Sequence, residues 1–80
     1  MTRMSARFVA KKVGMSTGWV YDLWKDMGLV FKDKFGDWAL TEIGTRIGGQ
    51  MSKSNHLPVP TFKFEVIEPM MIDFYNKNRK

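Results

Sequence analysis

Between Thr17 and Met27 the apolar residues Val20, Leu23, Trp24 and Met27 recur at i, i+3, i+4 and i+7, the spacing of one helix face. Ser16 stands immediately before this segment as an N-cap and Gly28 closes it. Upstream, Ala6 to Val13 sets Phe8, Val9 and Val13 at near-helical spacing, with Ser5 as the cap and Gly14 as the stop. After Gly28 the period changes. Leu29 to Lys32 and Asp37 to Leu40 read as two short strands, and Asp33-Lys34-Phe35-Gly36 reads as the hairpin turn between them. Thr41 then caps a third helix, Glu42 to about Ile47, which Gly48-Gly49 stops.

The last third of the chain is patterned less clearly. Gln50 to His56 is a polar connector with no period. Leu57-Pro58-Val59-Pro60 must be extended, because a proline disfavours helix at the residue before it. Thr61 to Ile67 alternates Phe62, Phe64 and Val66 with Lys63 and Glu65 and reads as a strand. Pro69 suits the first position of a helix running from Met70 to about Asn76. Asn76 to Lys80 is a polar, basic tail that is expected to fray.

The first two helices carry a more specific pattern. Two helices that cross at a tight turn need a small residue midway along the first, and Ala10 is there. Four residues on, the turn suits a residue that accepts positive φ, and Gly14 is there. Val20 and Leu23 then plug the junction from the second helix. This register, followed at once by a hairpin, predicts a helix-turn-helix over residues 6–27 and a wing over 29–40. A helix follows over 41–47 and an extension over 50–80. The expected class is α+β: one small winged helix-turn-helix domain of 80 residues with an additional C-terminal helix. Only Met1 to Met4 precede the helix pair, so the third core helix must come from Glu42 to Ile47 or from Pro69 to Asn76, with the C-terminal segment folding back.

The segments Met4 to Ser16, Met27-Gly28-Leu29-Val30 and Trp38-Ala39-Leu40-Thr41-Glu42-Ile43-Gly44 resemble bacterial and phage winged-helix regulators. They are most similar to the KilAC-type C-terminal domain of phage antirepressors. The resemblance runs from about Met4 to Gly49. It implies a phage or prophage origin and DNA binding in gene regulation, or binding to other proteins. It implies nothing for Gln50 to Lys80.

Charge and composition sharpen this picture. The chain has 13 Lys and Arg against 8 Asp and Glu, a formal charge of +5, which favours a polyanionic partner such as nucleic acid or an anionic membrane surface. Three Trp, six Phe, two Tyr and seven Met provide a core of large side chains. With no cysteine, disulfides and thiolate metal sites are excluded, and the reducing cytoplasm is the expected setting. No apolar run is long enough to span a bilayer, and Met1 to Met15 does not read as a signal peptide.

In a helix-turn-helix the second helix enters the major groove of double-stranded DNA and its N-terminal residues reach base edges. The positions off the Val20-Leu23 face are Ser16, Thr17, Gly18, Tyr21, Asp22 and Lys25, and these are the candidate DNA contacts on that helix. Asp22 repels phosphate but can accept from a cytosine amino group, and Asp26 adds a second negative charge. The cations that would grip phosphate lie elsewhere: Arg3, then Arg7, Lys11 and Lys12 on the first helix, and Lys32 and Lys34 on the wing. Trp19 adjoins the recognition surface and packs on sugar, on the wing, or in a core or interface; Trp24 and Trp38 read as core.

Catalytic chemistry is hard to assemble from this sequence. His56 is the one histidine and reads as a surface loop residue. No zinc spacing and no phosphate loop is present, so neither an enzyme nor a cofactor is expected. The competing function is protein binding. Met70, Met71, Ile72, Phe74 and Tyr75 form a dense apolar cluster that reads first as core, and otherwise as a homodimer interface or a partner-binding face of an adaptor or antirepressor.

Overall fold

The computed structural model describes residues 3–54 and 57–78. His56 and the end of the basic tail therefore lie outside the described residues. The chain runs β1 (Arg3–Ser5), α1 (Ala6–Val13), α2 (Thr17–Asp26), β2 (Val30–Lys32), β3 (Trp38–Leu40), α3 (Glu42–Arg46), β4 (Gln50–Ser54), β5 (Leu57–Lys63) and α4 (Phe64–Asn78). These make an α+β fold with four helices and two sheets among the described residues. One sheet has the order β1-β5-β4, and the other is the β2–β3 hairpin.

Local chemistry accounts for the first half. Gly14 adopts φ 74°, and both its N–H and that of Met15 donate to the Ala10 carbonyl. This is how a left-handed residue satisfies the open end of a helix. Ser16 Oγ accepts from the Trp19 N–H at 3.1 Å and starts α2. Gly28 (φ 80°) closes α2: the Leu29 N–H donates to Trp24 and the Gly28 N–H to Lys25. Thr41 Oγ1 accepts from the Gly44 N–H at 3.0 Å and starts α3. Ser5 differs from expectation. Its side chain makes no capping bond; its backbone pairs with Thr61 instead, as the last residue of β1.

The core collects Ala6, Val9 and Ala10 from α1, Val20, Leu23 and Trp24 from α2, and Leu29 and Val30 beyond it. Phe62 of β5 and Ile67 and Met71 of α4 complete it. The edge of Trp24 meets the Phe62 ring, centroids 4.8 Å apart and planes at 75°. The C-terminal segment thus folds back onto the helix pair as expected. Phe8 faces outward at 55% exposure, although it shares the apolar pattern of α1.

The second half corrects three sequence expectations. Gln50 to Ser54 is a strand, not a connector, because it pairs along its whole length with β5. The extended segment is Leu57–Lys63, and Phe64 already begins a helix. Pro69 therefore lies inside α4, not at its start. A proline there removes one intrahelical bond; burial of Ile67 and Met71, on either side of it, holds the helix against the core. The helix continues to Asn78, into the polar tail that begins at Asn76. Pro58 and Pro60 sit in the part of β5 that only β4 flanks, since β1 pairs with Thr61, Phe62 and Lys63 alone. Proline is tolerated where one side of a strand is unpaired.

Two glycines set how closely α3 approaches the core. A Cβ on Gly44 would overlap the Leu29 carbonyl oxygen, and one on Gly49 would lie 2.6 Å from the Gly44 oxygen and 2.7 Å from the Phe62 ring. The Leu29 carbonyl meanwhile accepts from the Thr41 N–H at 3.0 Å, and Thr41 Oγ1 donates to the Gly28 carbonyl. The hairpin, α3 and the end of α2 are thereby tied together.

Candidate nucleic-acid interface

The exposed face of α2 follows from its buried one. Val20, Leu23 and Trp24 point inward, so at about 3.6 residues per turn Gly18, Asp22 and Lys25 point out. Ser16, Thr17, Gly18, Asp22 and Lys25 are all exposed. Nothing lies within 4 Å of a Cβ built on Gly18, so another molecule can approach the backbone there. The Ser16 oxygen is engaged as the helix cap.

Asp22 and Asp26 stand apart from this centre. They border the groove between α2 and α4 together with Trp19, Leu23, Phe74 and Tyr75. The negative charge of α2 is therefore concentrated on its α4 side. Tyr21 occupies the opposite side, toward the hairpin.

Tyr21 is not the freely exposed residue expected from sequence. It is half-buried, and its ring lies flat on Trp38 of β3 with centroids 4.7 Å apart and planes 2° apart. Burial raises its phenol pKa above the ordinary value. Trp38 is itself half-buried rather than core. Lys32, its cross-strand partner, holds Nζ 5.3 Å from the Trp38 ring centroid. Trp38 thus contacts both the Tyr21 ring and the Lys32 ammonium, and its stack on Tyr21 joins α2 to the hairpin. Pairs of this kind combine area burial with ring electrostatics.

The hairpin turn is braced. Asp33 Oδ1 accepts from the Phe35 N–H at 2.9 Å and the Asp37 N–H at 3.0 Å. The Gly36 N–H donates to the Asp33 carbonyl, and the Asp33 N–H to the Asp37 carbonyl. Lys34 lies at this tip with Nζ 5.3 Å from the Phe35 ring centroid.

The cations of α1 form a separate group. Arg7, Lys11 and Lys12 are exposed. Lys11 lies over Phe8 and Lys12 over Phe64 of α4, each at 5.9 Å. Their aromatic neighbours belong to α1 and α4, not to the hairpin. Arg3 is engaged elsewhere, donating to the Gly48 carbonyl at 2.7 Å and so tying β1 to the end of α3.

Trp19 packs toward α4, its ring 6.1 Å from Tyr75, and so faces away from the hairpin. Between the α1–α2 turn and α4 lies an open apolar groove of about 320 Å³, lined chiefly by Val13, Met15, Trp19, Met71, Ile72 and Tyr75. The C-terminal apolar cluster is thus divided: Met71 is buried, whereas Ile72 and Tyr75 are exposed.

Sequence reasoning passed over Phe35, which is 78% exposed at the hairpin tip. The signal was an aromatic residue inside a turn whose other positions are polar or glycine. It also read Trp38 as core when it bridges two elements. Among the described residues no three His, Asp or Glu side chains cluster to hold a metal, and no helix is long and apolar enough to cross a membrane. Comparison with known proteins returns no matching family model, no similar curated protein and no similar solved structure.

Proposed function

We propose that this chain is a winged helix-turn-helix protein that binds double-stranded DNA, with α2 as the recognition helix and the β2–β3 hairpin as the wing. The observation that carries the reading is the Tyr21–Trp38 stack. It couples the hairpin and its two cations, Lys32 and Lys34, to the helix whose open face bears Thr17, Gly18 and Lys25. In this reading Thr17 and Gly18 approach base edges, and Ser16 contacts the backbone at the helix start. Lys25 contacts phosphate, as do Arg7, Lys11 and Lys12 from α1. Lys32 and Lys34 follow the backbone beside the recognition helix. Tyr21 sets the angle between helix and wing. Asp22, on the edge of the face, accepts from a cytosine amino group or stays outside the contact.

The role that goes with this reading is a cytoplasmic transcriptional regulator of phage or prophage origin, acting by binding rather than catalysis and needing no cofactor. It binds as a homodimer, because one module of this size offers limited affinity. The test is the affinity for short duplex DNA as salt is varied. Six cations of each protomer at phosphates give a slope of log K against log salt near −5 per protomer, at about −0.9 for each contact. No binding at about 50 mM salt overturns the reading.

The groove beside α4 favours a second reading, a protein-binding adaptor that uses Met15, Trp19, Ile72 and Tyr75. Amide chemical shifts discriminate. Duplex DNA should perturb Thr17, Gly18 and Lys25, whereas a protein partner should perturb Ile72 to Tyr75 and leave the α2 face unchanged.

A further inference from the structure

We propose that Phe35 is a stacking wedge that enters a base step of duplex DNA from the hairpin tip. The proposal rests on the DNA-binding reading and deepens it by assigning the tip a ligand, the exposed face of an unstacked base pair.

Three observations carry it. Phe35 is the most exposed large hydrophobic side chain described, at 78%, against 41–55% for the others. Its support is rigid: the Asp33 carboxylate accepts from the Phe35 and Asp37 N–H groups, and two backbone bonds close the same turn. A cation also stands against the ring, with Lys34 Nζ 5.3 Å from its centroid.

An apolar ring on a braced turn beside an ammonium group suits a ligand in which flat apolar faces alternate with phosphates. Apolar side chains inserted at a base step unstack it partly and kink the duplex. A rigid support matters because a mobile tip loses ordering entropy on insertion. Two carboxylates flank the tip: Asp33 already accepts two N–H bonds, which reduces its repulsion of phosphate, and Asp37 lies exposed at the base of the turn. A phenyl face stacks on any base, so the contact adds affinity and bending without sequence choice.

The experiment compares the full chain with Phe35→Ala, Phe35→Trp and Lys34→Ala on a short duplex carrying a donor and an acceptor dye at its ends. Affinity is read by anisotropy and bending by energy transfer. Circular dichroism confirms that each variant is folded, as an exposed position should allow. Phe35→Ala should bind about tenfold more weakly and no longer raise energy transfer, with its salt slope unchanged, because no charge is lost. Phe35→Trp should restore both. Lys34→Ala should bend DNA as the native chain does but lower the salt slope by about 0.9.

If Phe35→Ala binds and bends as the native chain does, or if Phe35→Trp fails to restore bending, the wedge is overturned and the DNA-binding reading stands. If the native chain prefers a single strand and Phe35 governs that preference, the duplex wedge is likewise overturned. If the native chain binds no DNA at low salt, the DNA-binding reading fails, and the wedge with it.

Discussion

The rings of Tyr21 and Trp38 lie parallel within 2°, 4.7 Å apart, one on a helix and one on a strand. Near-parallel stacking of two half-buried rings fixes the rotation of α2 relative to the hairpin as well as their distance. Trp38→Ala should therefore cost about 2 kcal/mol by chemical denaturation, combining lost area with a lost aromatic pair. If the chain binds DNA as proposed, the variant should also weaken that binding beyond the stability effect, because the hairpin loses its angle to α2.

The same contact makes stability depend on alkaline pH. Burial raises the Tyr21 pKa in the folded chain, so the folded state holds the phenol proton more tightly than the unfolded one. The resulting stabilisation is fully present below the unfolded value of about 10 and is lost as pH rises through the folded value. Native Tyr21 should titrate later than a free phenol by phenolate absorbance. Tyr21→Phe should flatten the loss of stability in this range, and Trp38→Ala should return the titration toward the ordinary value.

Gly18 and Gly44 separate binding from folding. Gly44→Ala forces a methyl into the Leu29 carbonyl oxygen, which is backbone and cannot swing aside. It should destabilise the fold by at least about 3 kcal/mol, as overpacking at its upper range does. Gly18→Ala meets open space and gains helix propensity, so it should stabilise the chain by up to about 1 kcal/mol. If the α2 backbone approaches DNA closely, the same methyl should weaken binding while the melting temperature rises.

Trp24 is fully buried, yet its Nε1 has no hydrogen-bond partner among the described residues. Trp24→Phe therefore forfeits volume but no hydrogen bond to a described residue, and should cost about 1–2 kcal/mol. Trp24→Ala should cost about 3–5 kcal/mol. Denaturant midpoints of the two variants check the ratio.

Two exposed lysines distinguish the proposed interface from general charge. Lys25→Ala should reduce the salt slope by about 0.9. Lys77→Ala should leave it unchanged, since Lys77 lies at the end of α4 paired with Asp73 at 3.2 Å. Equal effects from both would mean that the protein attracts DNA through net charge alone.

The sequence by itself determined the elements whose signals are local. Gly14 and Gly28 end helices through positive φ, and Ser16 and Thr41 begin them through side-chain caps. The Asp33 turn closes within five residues, and α2 announces its buried face by its own period. These interactions span few residues and hold wherever the segment lies. The candidate contacts Thr17, Gly18 and Lys25 were legible for the same reason, as the complement of a buried face.

The tertiary structure decided what depends on a distant partner. Gln50 to Ser54 is too polar to declare itself a strand and becomes one only against β5. Ser5 stands at the start of α1 without a side-chain capping bond, and its backbone pairs with Thr61, far along the chain. Phe64 and Val66 continue the alternation of Phe62, yet the core needs Ile67 and Met71 on one helix face, and that need sets the boundary and carries α4 through Pro69. Tyr21 left the exposed face because Trp38 was there to receive it. In each case the backbone or ring gains its stabilisation from a group brought near only by folding, and no spacing within the segment records that.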